Sequence, residues 1–508
     1  MSLALFTGCN EWLYLEPEDG IIRQEYWMSK EDVHASVMGC YASLLGNASS
    51  GQGYSIPELL FLWGEIRADM IYLSRSNPDF RYIIYGDILP DNGICRWNAF
   101  YRTINYCNTV LEFAPVVMEI DPSFSEESLK IYQAEVRALR ALMYFYLVRT
   151  FDEVPLKLTA TKDDSEEFNI PKSSRSEILN QIKTDLEWAE QHAPITYGNL
   201  AADKGRITRY AINAIQADVC LWADQYNQCI TACDKIINSG FYGLLENDDF
   251  WFTKLYVTGN SSESIFELQF SPEVLNPYYR LFKDSKYLRA NAATIEEFFP
   301  SDPNALPDSA DIRADGCSYK LSDNFTIWKY VGRNREEAKP SNESFSNFII
   351  YRFAEILLFK AEALAQLGNT DEALQLVRLI RRRAHASKAS DLGLSTDKRS
   401  ITEFILAERC REFAYEGKRW FDILRIAKRN KYENIDLIIE MVTRSAPAEK
   451  QLTVQNKYRD TLSHYFPIYY MELQANPALQ QNNFYKDCLL YTSPSPRDRT
   501  RSRMPSSA

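Results

Sequence analysis

The sequence predicts a mainly α fold, in which paired helices stack into a scaffold beside a loop-rich, minor-β region. Three observations lead there. Apolar residues recur at helical spacing through most of the first 240 residues. Two stretches, "GRITRYAINAIQADVCLWADQYNQCITACDKIINS" and "RFAEILLFKAEALAQLGNTDEALQLVRLIRRRA", each read as two helices joined by a tight turn. Between them, from Tyr242 to Asn347, Pro, Gly, Asp and Asn become frequent and the helical spacing lapses.

In chain order, "SKEDVHASVMGCYASLLG" opens with Ser29 as N-cap and Asp32 three positions on, a capping-box pattern, and Val33, Val37, Cys40, Tyr41 and Leu44 follow at helical spacing. "CRWNAFYRTINYCNTVLEFA", "EESLKIYQAEVRALRALMYFYLVRTF" and "SRSEILNQIKTDLEWAEQHA" are three further amphipathic helices. In the two helix pairs, small residues stand where helices must approach closely: Ala211, Ala214 and Ala217 in one, Ala361, Ala363 and Ala373 in the other. The second has Gly368-Asn369 at its turn and Thr370 as N-cap. Such a pair resembles a tetratricopeptide unit of about 34 residues, whose stacking buries a shared seam. In the irregular middle, "SIFELQF" alternates, so Phe266, Leu268 and Phe270 face one way on a strand. The long loops around it carry Tyr278, Tyr279, Tyr287 and Trp328, which argues against disorder.

Composition narrows the function classes. The formal net charge of -12 over 508 residues argues against a nucleic-acid binder, since phosphate contact needs a basic surface. No apolar run is long enough to span a membrane. Thirty-one Tyr, 27 Phe and nine Trp supply flat apolar surface that serves a core or a sugar-stacking site equally well. Four His (His34, His192, His385, His464) and no zinc-type Cys spacing give neither metal nor cofactor support. Cys229 and Cys233 share a helix face; the internal Cys are expected as buried thiols, or as an oxidised pair in an exported protein.

The ends stand apart. "LALFTGCNEW" resembles the end of a bacterial lipoprotein signal peptide, which makes residues 1–8 a truncated remnant and Cys9 the expected lipid anchor. The tail from Cys488, "CLLYTSPSPRDRTRSRMPSSA", resembles a translated sequencing adapter, so the native chain is expected to end near Lys486. Residues 9–486 then form a single domain, with a helical scaffold over about 25–240 and 348–430 and the loop-rich region over about 242–347.

"ERCREFAYEGKRWFDILR", Glu408 to Arg425, is dense in charge and aromatic residues. Its apolar spacing (Leu406, Cys410, Phe413) breaks at Glu416-Gly417 and resumes with Trp420, Phe421 and Leu424, so two helices meet at a glycine corner with Trp420 turned inward. Glu416, Arg419, Asp422 and Arg425 crowd the corner and can pair with one another. A glycosidase-type acid and base would need carboxyls about 5–9.5 Å apart with one pKa raised. Every carboxylate here has an Arg or Lys neighbour, which lowers its pKa, so a structural charge network is expected and not an enzyme.

That stretch closely resembles the late motif of the SusD/RagB family of outer-membrane nutrient-binding lipoproteins of Bacteroidetes. The resemblance extends through "YWMSKEDVHASVMGCYASL", "WNAFYRTINYCNTVLE", "EVRALRALMYFYLVRTFDEVPL", the two helix pairs and "FPIYYMELQANPALQQNNFY". It implies a surface-exposed lipoprotein anchored through Cys9, with tetratricopeptide-like helix pairs, lidding a SusC-like TonB-dependent transporter and passing it an oligosaccharide without altering it. A peptide-binding member of the same system is the alternative; a cytoplasmic helix-repeat scaffold and a hydrolase are more distant ones.

Ligand contacts in that family come from variable loops, and two segments fit. "WGEIRADMIYLSRSNPDFRYIIYGDILPDNGICRW" carries Asp69, Arg75, Asp79, Arg81 and Tyr85; "NPYYRLFKDSKY" carries Tyr278, Tyr279 and Tyr287. Directional hydrogen bonds beside a flat apolar platform are what a sugar requires. Asp69 can equally brace its neighbour Arg67, and the tyrosines can close the lobe or touch the transporter. Trp97 reads as core, with Tyr101, Ile104 and Val110 on the same helix.

Overall fold

The computed structural model describes residues 26–46, 53–161, 169–300, 310–387 and 397–486. Cys9, the 1–8 remnant and the tail from 487 lie outside them. Helix α1 (Lys30–Leu45) leads into an excursion made of α2 (Ile56–Glu65), β1 (Ile71–Leu73) and α3 (Pro78–Ile84), before α4 (Asn98–Ile120) and α5 (Glu126–Phe151). A short β2 (Val154–Pro155) pairs with β3 (Lys172–Ser173), and α6 (Arg175–His192), α7 (Leu200–Gly205), α8 (Arg209–Trp222) and α9 (Tyr226–Ile237) follow. The loop-rich part holds β4 (Ser264–Leu268), β5 (Leu288–Ala290), α10 (Ala292–Phe298), the paired β6 (Tyr319–Lys320) and β7 (Thr326–Ile327), and β8 (Phe348–Arg352). The chain then returns to helices: α11 (Phe353–Gln366), α12 (Thr370–Ala384), α13 (Lys398–Glu412), α14 (Arg419–Ala427), α15 (Ile435–Ser445), α16 (Gln451–Tyr458) and α17 (Tyr470–Ala475).

Eight helices stack in the order α1, α4, α5, α6, α8, α9, α11, α12, each against the next, and α13 closes against the last pair. Local chemistry starts them where the sequence indicates. Ser29 caps α1 and Asp32 completes the capping box, its carboxylate accepting the Ser29 N–H at 2.8 Å. At α12 the N-cap is Asn369, one residue before the expected Thr370, because Gly368 takes the left-handed turn at φ +87° and the helix begins at once after it. Ala211, Ala214, Ala217, Ala361, Ala363 and Ala373 are fully buried along the seam, where the missing side-chain volume lets helices approach. Trp97 is core, 3% exposed and edge-on to Phe151 and Tyr101.

Strand β4 is buried on both faces, so Glu267 lies inside along with Phe266 and Leu268; it pairs antiparallel with β8. Its neighbour β8 ends at Arg352, which is also the N-cap of α11. The loop-rich region is thereby tied to the last helix pair.

The glycine corner is a backbone-to-backbone crossing. Helix α13 ends at Glu412, Tyr415 and Gly417 turn the chain at φ +64° and +74°, and α14 starts at Arg419. A Cβ built on Gly64 of α2 would lie 1.7 Å from the Gly417 carbonyl oxygen, and one on Gly417 would lie 2.6 Å from the Leu60 carbonyl oxygen. Only glycine at both positions allows this approach. Glu65 completes the crossing by accepting the N–H groups of Gly417 (3.0 Å) and Lys418 (3.2 Å).

Candidate functional site

The candidate segments meet through a strand pair formed across some two hundred residues of chain. Strands β1 and β5 run antiparallel, with Tyr72 opposite Arg289 and Leu73 opposite Leu288, and Ser74 N–H donates to the Tyr287 carbonyl at 2.8 Å. Just beyond β1, Asn77 caps α3 by accepting the Phe80 N–H, and Pro78 supplies the preset φ of a first helical residue. Phe80 turns inward, its ring edge-on to Tyr287 (5.8 Å) and tilted against Tyr54 (6.1 Å).

Asp79, Arg75, Arg81, Tyr85, Tyr279 and Tyr287 therefore belong to one joined region. Asp79 is half-buried and accepts from the Tyr54 hydroxyl at 3.2 Å; burial pushes its carboxyl up, and the Gly93 N–H and Tyr54 oppose that. A Cβ on Gly93 would stand 2.9 Å from Asp79 Oδ2, so a larger residue there would push that carboxylate aside. The Arg81 guanidinium lies 5.3 Å from the Tyr82 ring centre, Arg75 is exposed, and Tyr85 and Tyr287 are half-buried. Tyr279 is largely covered.

Two candidates are core groups. Asp69 is 1% exposed, and both its oxygens are engaged: by Arg419 Nε (3.0 Å) and Nη2 (3.2 Å), and by Arg444 at 3.3 Å. It ties the chain ahead of β1 to α14 and α15, not to its neighbour Arg67. Tyr278 is fully buried among Phe61, Phe282, Tyr330 and Phe348, its hydroxyl donating to the Pro57 carbonyl at 2.9 Å. Neither offers a ligand any surface.

Sequence reasoning missed Tyr54, Tyr72, Tyr82 and Arg280. Tyr72 and Tyr82 rank among the exposed large side chains, and Arg280 holds the buried Glu58 at 2.6 Å while leaving 68% of its own side chain in solvent. The run Ile71-Tyr72-Leu73 alternates as a strand and could have placed Tyr72 outward.

The charged stretch is structural, with partners other than those expected from helical spacing. Of the four crowded residues only Asp422 and Arg425 pair with each other (2.9 Å). Glu416 receives Lys329 (2.7 Å) and Arg352 (3.0 Å), Arg419 goes to Asp69, and Arg425 holds Glu362 at 2.7 Å. Arg352 also bridges Glu263 (2.7 Å) and Glu412 (2.6 Å), while Arg313 spans Glu408 and Glu412. Burial would raise these carboxyls, but the surrounding cations outweigh it and hold Glu408, Glu416 and Glu362 at about 2. None of these three has a proton to donate at neutral pH, as a general acid would need. Trp420 is fully buried beneath the Arg67 guanidinium, 4.0 Å from its ring centre, with Phe466 on Arg67 at 4.1 Å.

Comparison with known proteins agrees with this architecture. The profile of the SusD family matches residues 317–485, and one described as starch-binding associating with outer membrane matches residues 83–221. SusD-like protein P38 of Formosa agariphila is 26% identical, the match covering 95% of this chain and 97% of the relative. A SusD-like protein of Bacteroides ovatus is 23% identical over 83% of this chain and 80% of its own. These matches support assignment of the chain to the SusD/RagB family. SusD superfamily crystal structures show the same fold: one from Bacteroides vulgatus at TM-score 0.72 and 21% identity, covering 90% of this chain and 100% of the other, and one from Parabacteroides distasonis at 0.72 and 23%, covering 89% and 99%. The SusD-like assignment supports a nutrient-binding accessory role at the outer membrane. Among the described residues no helix is long and apolar enough to cross a membrane.

Proposed function

We propose that this SusD-like chain captures oligosaccharides at the cell surface and delivers them, chemically unchanged, to a SusC-like TonB-dependent transporter, with Cys9 as its lipid anchor. The observation that carries the ligand assignment is the β1–β5 pairing, which joins two loops rich in tyrosine and arginine into one exposed region beside a rigid helical stack. Aromatic rings give a pyranose an apolar platform, and Arg75, Arg81 and Arg280 give its hydroxyls directional donors. The buried charge network supports the non-catalytic part, since its carboxylates are spent on cations.

Native electrophoresis through gels containing a panel of polysaccharides tests the capture step. Retardation by at least one glycan is expected; migration indifferent to all of them, together with competition-sensitive binding of peptides, would transfer the same uptake role to a peptide ligand.

A further inference from the structure

The candidate region has an electrostatic character opposite to that of the whole chain. Over residues 71–96 and 278–290 there are seven basic side chains (Arg75, Arg81, Arg96, Arg280, Lys283, Lys286, Arg289) and four acidic ones (Asp79, Asp87, Asp91, Asp284), in a protein whose formal charge is -12. Pairing sharpens the contrast. Asp87 is held by Lys457, and Asp79 is occupied by the Tyr54 hydroxyl and the Gly93 N–H. Lys283 is matched by Asp323 and Arg280 by Glu58. That leaves Arg75, Arg81, Arg96, Lys286 and Arg289 with no carboxylate within 4.0 Å among the described residues, against Asp91 and Asp284; of these, Arg96 donates to the Tyr469 hydroxyl.

The β1–β5 register brings Arg75 and Lys286 to the same end of the strand pair, each two residues beyond the Leu73–Leu288 pair. Arg289 stands opposite Tyr72 in the β1–β5 register and donates to the Asp323 carbonyl at 3.2 Å, while its Nε has no acceptor. Burial holds the Arg289 guanidinium below its ordinary range against the pull of Asp323, with Arg75 adding the smallest push in the same direction. Cations without carboxylate partners beside exposed tyrosines are matched by an anionic ligand. A neutral sugar would leave them unmatched.

Resting on the glycan-binding reading above, we propose that the ligand of this surface is an acidic glycan, whose ring carboxylates or sulfate esters are received by Arg75, Arg81 and Lys286 while Tyr72 and Tyr287 face its rings. Guanidinium forks match both anions in geometry, so the uronate and the sulfate ester share this chemistry.

The test measures retardation of the protein by polygalacturonate, dextran sulfate, and neutral dextran and starch, at low and high NaCl. Binding of a carboxylated or sulfated polymer is expected, with the two polymers separating the two anions. It should weaken at least about tenfold in the double variant Arg75→Gln/Lys286→Gln, and also at high salt, because exposed charges are screened over about a Debye length. Arg399→Gln, which removes an exposed cation remote in the chain, should leave it unchanged. Retardation by neutral polymers alone, or by acidic ones with equal loss in Arg399→Gln, overturns the acidic-glycan inference and leaves glycan capture standing. Retardation by nothing overturns both.

Discussion

Replacing Gly417 by Ala tests the backbone crossing on which the late motif is built. The new Cβ would sit 2.6 Å from the Leu60 carbonyl oxygen, on a residue held at φ +74°. The left-handed backbone costs a non-glycine residue about 1–2 kcal/mol. Moving α2 aside to relieve the overlap costs about 1–3 kcal/mol, and weakening the two N–H bonds to Glu65 about 1 kcal/mol each. The sum is about 5 kcal/mol, a large share of the ~5–15 kcal/mol that holds a typical protein folded. With an unfolding entropy of about 2.1 cal/mol/K per residue over roughly 430 residues, the thermal midpoint should fall by about 5 °C. Differential scanning calorimetry reads this directly. Gly39→Ala is the control: a Cβ there meets nothing within 4 Å inside α1, so the same chemical change should stabilise by about 0.5–1 kcal/mol. If Gly417→Ala melts within 1 °C of the parent, the crossing does not constrain the fold as argued.

Other consequences concern charge and the site. Burial pushes the Glu65 carboxyl up to about 8, so between its ordinary value near 4.5 and 8 the folded form keeps a proton the unfolded form has lost. Stability should therefore decline as pH rises through that window, by up to about 1.4 kcal/mol per pH unit, and Glu65→Gln should flatten that slope in denaturant titrations at pH 5–8; an unchanged slope would refute the assignment. Arg352→Met strands Glu263, Glu412 and Glu416 without their shared cation and should cost about 3–5 kcal/mol, seen as a lowered denaturation midpoint or loss of soluble protein. Tyr278→Phe should cost about 1 kcal/mol of stability through the lost bond to Pro57 and leave glycan retardation intact, whereas Tyr287→Ala should weaken retardation.

What the sequence revealed follows from the range of the forces involved. The Ser29–Asp32 capping box, the alanine seams and the break at Glu416-Gly417 are set by residues within a few positions of one another, so local pattern suffices to find them. The partners of the charged corner are not local. Helical spacing suggested that Glu416, Arg419, Asp422 and Arg425 would satisfy one another, yet three of them reach Lys329, Arg352, Asp69 and Glu362, which only the tertiary fold brings near. The loop candidates divide the same way. Arg75 and Tyr278 look alike as polar or amphipathic loop residues, but one is exposed and the other is packed against Phe61 of α2 and Phe348 of β8, a pairing of segments far apart in the chain. No local signal encodes that pairing.

The most direct test of the central claim, capture without chemistry, is calorimetric titration of the purified protein with size-defined oligosaccharides of the retarding glycan, followed by mass spectrometry of the same mixture. Saturable binding with every oligosaccharide recovered at its original length is the expected result. Shortened products, or no binding heat with any oligosaccharide of that glycan, would contradict the account.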